Sequence, residues 1–153
     1  MSNQYLSGGD KLQQALRDLA DKLSDGGEVQ VGFFPDATYP DGTSVALVAS
    51  IQEFGALSRG IPPRPFFRNA IADHGGEWAD EIGPLLQSTG YDTTKTLRLM
   101  GKIMVADVQQ SIIDLTDPPL TPATIKRKGF DTPLIDTGQM LKSVKAVVSG
   151  EEA

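Results

Sequence analysis

The chain has 153 residues, 39% of them hydrophobic and 22% charged, with 20 acidic against 14 basic side chains and a formal net charge of -6. That length suits a single domain, residues 1–153, able to bury a core without staples, and the slightly polar composition fits a thin domain whose faces are completed by neighbours. The acidic balance excludes a general attraction to nucleic acid or anionic membranes, and the absence of cysteine excludes disulfides, thiolate zinc sites and thiol catalysis.

Met1 to Gly9 has neither a basic n-region nor an apolar run, so no signal peptide is expected there. No apolar stretch approaches the roughly 20 residues that cross a bilayer, so a soluble protein is expected. After Ser7-Gly8-Gly9, Asp10 is placed to cap a helix in which Leu12, Leu16, Leu19 and Leu23 recur every three or four residues, stopping at Gly26-Gly27. Glu28 to Phe34 alternates as a half-buried strand ended by Pro35, and residues 36–43 form an exposed loop around the Pro40-Asp41-Gly42 turn. Ser44 then caps a short, mostly buried helix that Gly55 terminates.

Three prolines force Gly60 to Phe67 into an extended conformation within a loop over about 56–67. Arg68 to Leu86 keeps loose helical spacing, but Gly75-Gly76 and Gly83-Pro84 predict one broken helix or two. The strongest amphipathic pattern lies at 93–113, where Leu97, Met100, Met104, Val108 and Ile112 predict the longest helix. Asp117-Pro118-Pro119 ends it, and about 115–135 is read as a loop with at most a turn of helix at Pro122 to Lys126. The valine-rich Ser143 to Ser149 predicts a second strand paired with Val29 to Phe34. The expected fold class is α+β, a small antiparallel-type sheet flanked by helices.

Chemistry-bearing motifs are few. Arg59 and the segment Gly60-Ile61-Pro62-Pro63-Arg64-Pro65-Phe66-Phe67-Arg68 combine a preformed extended backbone, two rings and three guanidiniums. Such a segment is either a rigid connector whose rings drop into the core or a binding element that docks with little entropy loss; a free ligand for an aromatic groove through Pro62–Pro65 is the third reading. Residues 61–65 are expected to be extended, Phe66 or Phe67 buried, and Arg64 free to meet a neighbouring subunit. Lys126-Arg127-Lys128 is either a solvated loop face or a contact for an acidic partner or passing DNA, and without interleaved aromatics it does not read base sequence.

Asp136-Thr137-Gly138 matches the triplet of aspartic proteases, which need two carboxylates sharing a proton. Only fifteen residues follow Gly138, too few for the flap and second element of that fold. The alternative is a tight turn in which Asp136 bonds backbone N–H groups and Gly138 supplies a positive φ. A single histidine, His74, excludes a multi-histidine metal site, and no cofactor is expected.

Taken in order, Gln52-Glu53-Phe54-Gly55, Ile61 to Arg68, the long amphipathic helix, Pro122 to Lys128 and Pro133 to Val144 resemble the minor tail and neck component family of tailed bacteriophages, which groups tail-completion, tail-terminator and virion-morphogenesis proteins. The resemblance spans roughly residues 28–150. It implies a non-enzymatic virion subunit with a compact α+β fold, forming a homo-oligomeric ring, hexameric by expectation, at the head-proximal end of the tail. Connector or stopper proteins and the major tail tube protein would be its partners. It also implies that the proline-arginine loop and the C-terminal turn and strand sit at subunit contacts.

Overall fold

A computed structural model describes residues 7–24, 26–129 and 131–149. The elements in chain order are α1 (Ser7–Ser24), β1 (Val29–Gly32), α2 (Val45–Phe54), α3 (Phe66–Ser88), α4 (Thr93–Asp114), α5 (Pro122–Lys128), α6 (Gln139–Lys142) and β2 (Lys145–Val148), with a 3-10 turn at Leu57–Arg59. The fold is α+β: β1 and β2 form a two-stranded antiparallel sheet in the register Val29 to Val148 and Gly32 to Lys145, and helices flank it. Among the described residues no helix is long and apolar enough to cross a membrane. Residues 1–6, within the Met1 to Gly9 stretch on which the signal-peptide expectation rests, lie outside the described residues.

α4 holds the architecture together. Its N-cap Asp92 accepts from the Lys95 amide at 2.9 Å, and Met100, Val108 and Ile112 recur on its buried side, as the helical spacing predicts. One flank of α4 packs on α3, where Ser111 Oγ donates to the Phe66 carbonyl at 2.7 Å and Trp78 Nε1 donates to Asp107 Oδ2 at 2.7 Å. Another flank meets the sheet so closely that a Cβ on Gly101 would lie 2.7 Å from the Ala146 Cβ and 3.1 Å from Val29 Cγ2. The core gathers Val45 and Ala49 of α2, Phe66 and Ala70 of α3, Val108 and Ile112 of α4, and Leu134, Met140 and Val144 from the C-terminal segment. Phe66 is 1% exposed, and truncating such a buried ring to alanine costs roughly 3–5 kcal/mol.

Several boundaries depart from expectation. α3 is one unbroken helix of 23 residues through Gly75-Gly76 and Gly83-Pro84, and is longer than α4 at 22. Packing along α4 overrides the weak local propensity of the glycines, and Pro84 forfeits one backbone bond near the exposed C-terminal end. The extended segment stops at Pro65, since Phe66 is already helical. α1 begins at Ser7, with Asp10 in its first turn rather than at its cap. α2 is less buried than expected: Val45, Ala49 and Glu53 are buried, whereas Leu47 and Phe54 face solvent. Within 115–135, α5 completes nearly two turns, capped by Thr121, whose Oγ1 accepts from the Thr124 amide at 3.3 Å.

Candidate interaction surfaces

The junction between α2 and α3 explains why the two motifs at 52–55 and 61–68 travel together. α2 ends at Gly55, whose φ of 76° is left-handed and whose Cβ, if present, would lie 2.7 Å from the Pro63 nitrogen. The chain then doubles back through paired backbone bonds between Ala56 and Ile61 at 2.8 and 3.1 Å, and the Arg64 amide donates to the Gln52 carbonyl at 2.6 Å. The N-cap of α3 is Pro65, which offers no side-chain acceptor. Glu53 supplies it from the neighbouring helix: Oε2 accepts from the Phe67 amide at 2.9 Å and Oε1 from the Arg68 amide at 3.3 Å. A carboxylate at this position also meets the positive end of the α3 dipole. Arg68 closes the network, donating from Nε to Glu53 Oε1 at 2.7 Å and from Nη2 to the Glu53 carbonyl at 3.0 Å, with its guanidinium 5.2 Å above the Phe54 ring.

Placement of the proline-arginine segment follows from that junction. Arg59 is exposed beside the 3-10 turn, Ile61, Pro62 and Pro65 are half-buried, and Pro63 lies over Gly55. Phe66 is in the core, edge-on to Phe33 and Phe67 at centroid distances of 6.0 and 6.2 Å, while Phe67 is half-buried. Arg64 departs from expectation: it is 7% exposed and does not stand free at the surface. Its Nη2 donates to the Pro118 carbonyl at 3.3 Å, and burial lowers its pKa from the ordinary arginine value. Most of the segment is therefore scaffold that sets the entry of α3.

Arg64 lines a pocket of about 610 Å³ between α2, the 39–43 turn, α5 and the start of α6. Gln139 Nε2 draws α6 to the turn by donating to the Thr38 carbonyl at 3.2 Å. Of the basic cluster, Lys126 and Arg127 are exposed, and Lys128 is half-buried with Nζ donating to the Thr132 carbonyl at 3.0 Å. Burial lowers the Lys128 pKa; Asp136 opposes that shift, and Arg127 and Arg64 add to it. Asp136 and Thr137 form an exposed bend, and Gly138 has a φ of 76°. The side-chain acceptor there is Thr137 Oγ1, 3.3 Å from the Gln139 amide, where Asp136 was expected.

Two apolar surfaces escaped the sequence reading. The leucine face of α1 is open, with Leu12 61% and Leu16 56% exposed; α1 touches the body near its C-terminal end, where Thr93 Oγ1 donates to the Lys22 carbonyl at 3.3 Å. Elsewhere, Leu47 near the start of α2, Phe54 at its end and Leu57 in the 3-10 turn, 83% exposed, are large apolar side chains facing solvent. Amphipathic spacing identifies an apolar face but not whether its own chain covers it. On α3, His74 Nδ1 lies 2.9 Å from Glu77 Oε2, and the imidazole stacks on Trp78. That hydrogen bond raises the His74 pKa. Among the described residues no group of three or more His, Asp or Glu side chains could hold a metal ion. No protein-family model, curated protein or solved structure matches the chain.

Proposed function

We propose that this chain is a structural subunit of a tailed bacteriophage virion, a tail-completion or neck protein that works by assembling into a homo-oligomeric ring at the head-proximal end of the tail. It would act by shape complementarity, without chemistry on a substrate, and meet connector or stopper proteins on one side and the tail tube on the other. The observation that carries this reading is the exposure of large apolar side chains in two regions, the α1 leucine face and the Leu47, Phe54 and Leu57 side chains of α2 and the 3-10 turn. Large apolar side chains grouped at the surface mark contact sites. Two distinct regions on one chain also suit a head-to-tail contact, which closes into a ring when the rotation permits. The ordered motifs add support, since Glu53 and Arg68 tie two of them into one structural unit.

Light scattering after size-exclusion chromatography at several concentrations, with negative-stain imaging of the protein mixed with purified tails, tests the assignment. Rings or tail-bound protein are expected. A strict monomer that binds neither tails nor connectors defeats it.

A further inference from the structure

Among the described residues, two buried side-chain polar atoms have no hydrogen-bond partner, Arg64 Nε and Gln52 Oε1, and both residues line the same 610 Å³ pocket. Buried polar atoms are nearly always paired, and a buried guanidinium with no carboxylate hydrogen-bonded to it is disfavoured. The Arg64 side chain meets the protein through a single neutral carbonyl, that of Pro118, and its buried Nε–H has no acceptor. Gln52 Oε1 is the second unpartnered atom, and since the two ends of an amide are assigned by their partners, turning it places an N–H at that position.

We propose that this pocket is a binding site for a carboxylate on an apolar stem, the side chain of a glutamate or aspartate presented by a neighbouring protein. The pocket's charges favour a monoanion. Arg64, Arg127 and Lys128 bring three cations and Asp41 and Asp136 two carboxylates, leaving one net positive charge. A phosphate dianion would overcompensate that charge and face both aspartates. Val48, Leu120 and Met140 supply apolar wall for the stem, and the flat guanidinium fork matches a carboxylate in plane. The proteinaceous source rests on reading the chain as an assembly subunit; the carboxylate chemistry rests on the pocket alone.

Nitrogen-15 NMR of the intact chain at constant ionic strength reads the site through the Arg64 Nε–H resonance, so no variant is needed for the primary test. The probes are butyrate, its neutral isostere butyramide, inorganic phosphate and a blocked Ala-Glu-Ala tripeptide. A saturable shift with butyrate, a tighter one with the tripeptide, and none with butyramide are expected. Arg127→Glu, a change at an exposed position, should weaken tripeptide binding about tenfold. No shift with either carboxylate, or an equal shift with butyramide, overturns the site. Tighter binding of phosphate overturns the carboxylate, and tighter binding of butyrate than of the tripeptide overturns the protein source. A monomeric chain that binds the tripeptide retains the site and loses the ring, whereas a ring blind to the tripeptide does the reverse.

Discussion

Glu53 is 6% exposed, yet its carboxylate is fully used by two α3 amides and the Arg68 guanidinium. Glu53→Ala removes the helix cap and leaves those donors without their acceptor, so urea unfolding should show a loss of about 2 kcal/mol. Glu53→Gln keeps one acceptor oxygen and should fall between the two; stability equal to wild type in the alanine variant would remove the capping role. His74 provides a pH-dependent case. Its pKa is raised above the ordinary 6.5, first by the hydrogen bond to Glu77. The pair's contribution is therefore complete below that ordinary value and disappears as pH rises through the raised one. NMR titration of Glu77→Gln should return the imidazole towards its ordinary midpoint. An unchanged midpoint would assign the shift to the more distant Asp107 and Asp73 charges.

Glycines separate local from tertiary control at the scale of the element. Gly76 in α3 has open space where a Cβ would go, whereas the same atom at Gly101 in α4 would press on Ala146 and Val29. Gly76→Ala should stabilise the protein by about 1 kcal/mol through helix propensity. Gly101→Ala gains the same propensity but overpacks the helix–sheet contact, with a net loss of about 1 kcal/mol or more. Thermal or urea unfolding of both variants checks the opposite signs, and two gains would mean that α4 can move off the sheet freely. The same competition explains the continuity of α3. Gly75-Gly76 and Gly83-Pro84 read as breaks when only neighbours in sequence are weighed, but burial of Phe66 and Ala70 and the Trp78–Asp107 bond hold the helix on α4.

For the whole molecule, the open leucine face of α1 predicts a split between folding and assembly. Leu12→Ser with Leu16→Ser should change unfolding free energy by no more than about 0.5 kcal/mol, as for other exposed positions, while reducing self-association in light scattering. A large loss of monomer stability would show that α1 packs on its own body. Much of the architecture was legible in the chain. The period of α4, the Ser44 cap, the helix stop at Gly55, the positive φ of Gly138, and the alternating and valine-rich strands follow from local preferences that act over a few residues. Those preferences are properties of short segments, so the α+β class and the strand pairing could be read without coordinates.

Tertiary structure alone decided which faces stay uncovered and where the charges go. The Ile61 to Arg68 motif can be read in sequence as rigid, but not as scaffold, because the cap that fixes it comes from Glu53, fourteen residues before Phe67. Nor does the sequence show that Arg64 turns inward while Arg127 stays exposed, since both are arginines beside prolines or lysines in polar surroundings. The candidate site is a meeting of α2, α5, the 39–43 turn and α6, and residues far apart in the chain come together only when the core closes around Phe66 and Ile112. Local propensity sets the elements; burial and long-range pairing set their faces, and the surfaces available to partners are what that packing leaves over.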